Sequence, residues 1–162
     1  MSWFVLLRWI HILAATAWFG EVVTINLVLV PAVSRMTASE RALTLGRIFP
    51  RIFRLASILS GTAAVTGLTM FAIKFWGNWL LLFGTWSGRA ILAGATLGAA
   101  LTLFHFFLEP RLGEMICVAE KEPDGELITK IVRLLRIIPR AGLGVIGAIV
   151  LLMMIGARGL PL

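Results

Sequence analysis

The chain has 162 residues, 59% of them hydrophobic and only 14% charged, with a mean hydropathy of +0.96. Soluble domains carry roughly 45–50% apolar and about 25% charged residues, so a soluble, disordered or fibrous protein is excluded, and a single cysteine excludes an internal disulfide. The net charge of +7 does not mark a nucleic-acid binder, because the bases fall between long apolar runs and not on one solvated face.

The length fits one domain, 1–162, and the apolar content makes it a polytopic membrane domain. A hydrocarbon core of about 30 Å needs about 20 apolar residues as helix. Four stretches meet that. The first spans 3–30 and ends at Pro31. It lacks a basic start and is too long for a signal peptide, so it reads as a retained span. The second covers 52–76. The third covers 86–108 and stops before Glu109-Pro110. The fourth covers 139–157, with Pro139 suited to a first helical turn. An all-α, up-down-up-down four-helix bundle is the expected fold. Small residues for close helix contacts stand at Gly61, Ala64 and Gly67, at Gly94 and Gly98, and at Gly144 and Ala148.

Loop one, 31–51, carries Arg35, Arg41, Arg47 and Arg51, and a short surface helix is expected from Thr37 onward. Loop two, 77–85, has no charge. Loop three, 109–138, is rich in bases, holds a turn signal at 122–125, and ends in a helical lead-in from Lys130. The positive-inside rule puts loops one and three in the cytoplasm and both termini outside. Trp3, Trp9, Trp76, Trp79 and Trp86 then form an outer aromatic belt, and Trp18 lies deep.

Ionisable residues inside a bilayer are functional candidates. Here they are His11, Glu21, Arg54, Arg89, His105 and Arg140, with Asn26 beside them. On helical rise His11 and His105 are separated by roughly 15–20 Å along the membrane normal, too far to share one iron. Met70, Met153 and Met154 lie at the level of His11. Imidazole with thioether suits haem iron or Cu(I). Arg8 and Arg89, near the outer interface, are candidate partners for haem propionates. Deeper, Glu21, His105 and Arg140 form a second polar cluster, with a Glu21–arginine ion pair as its structural reading and a proton or second-haem site as its functional one. Cys117 reads as an ordinary loop thiol. No phosphate loop, dinucleotide fingerprint, HExxH or CxxC is present, so any reaction must use a bound cofactor or metal.

Short motifs carry a resemblance over most of the chain. Trp9-Ile10-His11 followed by Trp18-Phe19-Gly20, Trp86-Ser87-Gly88-Arg89 with a late His105, and Arg133-Leu134-Leu135-Arg136-Ile137-Ile138-Pro139 together resemble four-span CopD-like membrane proteins and the related HemJ-type protoporphyrinogen oxidases. The resemblance implies a b-type haem on the histidine matching His11, or, on the CopD-like side, copper movement across the cytoplasmic membrane. The chain departs from the HemJ pattern where Arg89 replaces a lysine and where Arg136-Ile137 replaces Asn-Glu. Both departures weigh against the oxidase reaction and leave the scaffold and its haem ligand.

The leading expectation is therefore a haem-binding electron-transfer protein, ligated by His11 with Met70, Met153 or Met154, working with a quinone or a respiratory-type complex and able to oligomerise. A copper-handling protein using His11 and Met70 is the first alternative. An accessory subunit without cofactor is the second.

Overall fold

The computed structural model describes residues 3–121 and 125–158. The predicted turn over 122–125 therefore lies outside the described residues except for Gly125, which begins the last helix.

The fold is an all-α bundle. Helix α1 (Trp3–Thr24) passes through a widened π-helical stretch (Ile25–Leu29) into α2 (Val30–Ser34). Then come α3 (Ala38–Phe75), a short α4 (Trp79–Gly84), α5 (Trp86–Lys121) and α6 (Gly125–Arg158). Trp3–Ser34 taken as one rod, α3, α5 and α6 are each long and apolar enough to cross a membrane. They run up and down in turn: α1 packs on α3, α3 on α5, and α5 on α6.

The helices overrun the expected spans. Thr37 does not start a short, separate surface helix. Its hydroxyl accepts from the Glu40 backbone N–H, and the Glu40 carboxylate accepts from the Thr37 N–H at 2.8 Å. This capping box opens a helix of 38 residues. At 1.5 Å per residue α3 is about 57 Å long, nearly twice the hydrocarbon thickness. Likewise α5 continues through Glu109-Pro110 to Lys121, and α6 begins fourteen residues before Pro139. Loop two, expected as coil, contains α4, capped where Asn78 Oδ1 accepts from the Leu81 N–H at 3.2 Å.

Pro31 and Glu109-Pro110 were expected to close their spans, and Pro139 to open the fourth. A proline inside a helix removes one hydrogen bond and costs about 3 kcal/mol. Three prolines, Pro50, Pro110 and Pro139, lie inside helices instead. Beside each, within one turn, is a tightly packed apolar residue: Phe49, Leu112 and Leu135. That burial offsets the backbone loss. Pro31 is handled differently. The helix widens just before it, so that the Val30 N–H bonds back to Ile25 O, and Asn26 Nδ2 donates to Val22 O at 2.8 Å. One proline thus falls in each rod.

Those prolines divide the bundle into two zones. On one side is a core that reads like a soluble protein. Ile128, Ile131, Val132 and Leu135 repeat at helical spacing on α6 and are buried, while Lys130, Arg133 and Arg136 on the same turns are exposed. Ala42, Leu45 and Phe49 of α3 and Leu112, Ile116 and Ala119 of α5 complete this core. On the other side most large apolar side chains point outward, as lipid permits. Leu13, Val65, Leu103 and Leu151 are 62%, 66%, 59% and 63% exposed. Trp3, Trp9, Trp76, Trp79 and Trp86 are all exposed toward that end, and Trp18 is buried.

Glycine serves close approach at some expected positions only. A Cβ on Gly94 would meet Met153 Cε at 2.9 Å, and one on Gly61 would touch Phe106 at 3.7 Å. Nothing lies within 4 Å of such an atom at Gly98 or Gly144, and Ala148 is exposed. The contacts expected there belong instead to Gly88, against the α4 backbone, and to Gly156, against Ile91.

Candidate functional site

The first rod presents one stripe to the bundle: His11, Ala14, Trp18 and Glu21 of α1 and then Ile25, spaced three or four residues apart. The stripe passes two separate polar places.

The first is at His11. Its Nδ1 lies 2.8 Å from the Ala63 carbonyl and 3.3 Å from Thr66 Oγ1 on α3. The Thr66 hydroxyl is itself bonded to Thr62 O at 2.6 Å. A carbonyl can only accept, so Nδ1 carries the proton and donates to it, which leaves the Nε2 lone pair free. The ring lies against Gly67, where an added Cβ would come within 2.7 Å of Cε1. Met70 follows Gly67 by three residues and so falls on the same face of α3, one turn nearer the tryptophan-rich end. Met153 is seated on Gly94 between α5 and α6, and Met154 is 48% exposed. Arg8 is exposed. Arg89 is exposed too, its guanidinium 4.5 Å from the Trp86 ring centroid. Among the described residues no three His, Cys, Asp or Glu side chains gather as a metal-binding group. A metal at this level would rest on imidazole and thioether.

The second place is a cavity of about 340 Å³ at the level of the prolines, lined by residues of all four rods. Its walls are apolar apart from Glu21, His105 and Glu109. His105 and Glu109 are one turn apart on α5, and His105 Nε2 stands 3.2 Å from Glu109 Oε2. That distance suits an ion pair, but the geometry is out of line for a hydrogen bond. Ser57 Oγ donates to the same carboxylate from α3. The Trp18 ring meets His105 edge-on at 6.4 Å. Both carboxylate oxygens of Glu21 are buried with no hydrogen-bond partner among the described residues.

One expectation changes here. The polar cluster of Glu21, His105 and Arg140 does not assemble as read. Arg140 is exposed and outside the cavity, as is Arg54, so neither forms the expected ion pair with Glu21. A guanidinium near a helix end reaches water at little cost, whereas burying it is expensive. Glu109, read as the end of a span, takes the place given to arginine. The histidines stand at separate levels of the bundle. His105 meets Trp18, seven residues below His11 on α1, about 10 Å along the axis. No protein-family model, curated protein or solved structure matches the chain.

Proposed function

We propose that this multi-pass membrane protein is a redox carrier that holds a b-type haem through Nε2 of His11. The observation that carries the reading is the hydrogen bond from His11 Nδ1 to the Ala63 carbonyl, 2.8 Å. A ligating histidine donates its other ring nitrogen in this way, which fixes the tautomer and makes the ligating nitrogen more basic. Gly67 leaves the room the ring needs, and Met70, on the same face of α3, would offer a soft thioether. Imidazole with thioether is a donor set that would suit a haem iron. A bound haem would supply one-electron chemistry. The chain itself orients the imidazole and surrounds it with apolar helices. A quinone or a larger respiratory complex would be its electron partner.

The same two ligands support copper handling as a second reading, since imidazole and thioether also suit Cu(I). In either case the arginine-rich end faces the cytoplasm and both termini face outward, across a cytoplasmic membrane.

An optical spectrum of the detergent-purified protein, oxidised and then reduced with dithionite, tests the proposal. We expect a Soret band with sharp reduced α and β bands, and loss of both in His11→Ala. Haem retained at full occupancy in that variant rejects the assignment. Copper near one per chain without a Soret band selects the second reading.

A further inference from the structure

The proline-level cavity has no part in the haem reading, and its chemistry is one-sided. It holds two carboxylates and one imidazole, with no lysine or arginine among its lining residues. Glu109 is engaged by Ser57 and His105. Glu21 has no hydrogen-bond partner among the described residues, although both of its oxygens are out of reach of solvent. A buried carboxylate without a donor is costly as an anion, so Glu21 rests either as the neutral acid or beside an occupant that brings positive charge.

The rest of the wall states what else that occupant must be. Trp18, Phe53 and Phe104 present aromatic surface, and aromatic faces attract cations. The volume falls within the range of roughly 300–1,000 Å³ typical of small-molecule sites. Phe104 and Ile137 line the cavity yet are 52% and 56% exposed, so its rim is apolar and opens on the outer face of the bundle. Such a mouth admits a molecule already dissolved in lipid. A bare divalent metal fits poorly, because hard cations need six or more oxygen ligands. An ionised Glu21 offers a quinone carbonyl no donor, because both are acceptors.

We propose that this cavity binds a monovalent lipophilic organic cation, with its charge between Glu21 and Glu109 and its apolar groups against Trp18, Phe53 and Phe104. The site is separate from His11 and does not depend on a cofactor there.

Tetraphenylphosphonium and tetraphenylborate test this directly, being alike in shape and opposite in charge. Equilibrium dialysis of the detergent-purified full chain should show saturable binding of the phosphonium, one per protein, and none of the borate. Glu21→Gln should weaken that binding at least about tenfold, as expected when one side of a buried charge pair is lost. Glu109→Gln should weaken it too, and Glu114→Gln, an exposed control, should not. Far-UV circular dichroism reports whether each variant keeps its helices. Equal binding of the two ions by the native protein overturns the proposal whatever the variants do. So does unchanged phosphonium affinity in the Glu21→Gln/Glu109→Gln double variant.

Discussion

His11 is held from the side by backbone, not by another side chain alone, and this makes its position sensitive to a residue that carries no chemistry. Gly67 has no Cβ, and the imidazole uses that space. In Gly67→Ala the new methyl would lie 2.7 Å from Cε1 unless the ring moved. Alanine favours helix over glycine by about 1 kcal/mol, so α3 itself should not suffer. The ring should shift off the Ala63 carbonyl, and haem affinity should fall by about 10–100-fold, the usual effect of losing a ligand's supporting hydrogen bond. Haem titration into the apo-protein reads this, alongside a thermal melt. Unchanged affinity would show that the carbonyl does not orient a ligand. Part of this site was legible in sequence: a histidine within an apolar run has to find a partner. The carbonyl partner was not, because it depends on the rotation of α1 against α3, which no local pattern encodes. Glu109 was missed for another reason. Its neighbour Pro110 looked like a terminator, which hid the one-turn spacing that brings Glu109 and His105 together on a single helix face.

The rods change solvent along their length, so the same substitution should have different consequences at its two ends. Ile131 is 0% exposed and packed within the apolar core at the arginine-rich end, whereas Leu151 on the same helix is 63% exposed. Ile131→Ala removes buried volume and should cost about 2–5 kcal/mol of stability. Leu151→Ala exchanges one lipid-facing apolar group for a smaller one and should cost far less. Thermal unfolding in detergent should rank the two clearly, and equal losses would mean that the proposed two-zone division is wrong. The apolar middle of each rod was plain from hydropathy alone. The extensions were not, although their amphipathic spacing was present, as in Ile128, Ile131, Val132 and Leu135. Proline is a local stop signal, and tertiary packing beside Pro50, Pro110 and Pro139 overrides it here. The capping box at Thr37 and Glu40 was readable as a helix start, but nothing local tells a start of ten residues from one of 38.

Charge is distributed across the whole molecule with one clear polarity. Of fifteen basic residues, only Arg8, Lys74, Arg89 and Arg158 belong to the tryptophan-rich end. The remainder crowd the end where α3 begins, α5 finishes and α6 begins. Lysine and arginine flanking membrane spans are retained on the cytoplasmic side, which sets the proposed orientation. The single cysteine makes that orientation measurable without altering the protein. Cys117 is exposed and lies in the part of α5 beyond Pro110, at the arginine-rich end. A membrane-impermeant maleimide should therefore label it in inside-out vesicles and not in intact cells. Leu80→Cys in a Cys117→Ser background supplies the converse, since Leu80 is 84% exposed in α4 at the opposite end. It should react in intact cells and be protected in inside-out vesicles. The reverse pattern at both positions would put the arginine-rich core outside. It would also place the mouth of the acidic cavity toward the opposite leaflet, and the His11 level toward the cytoplasm.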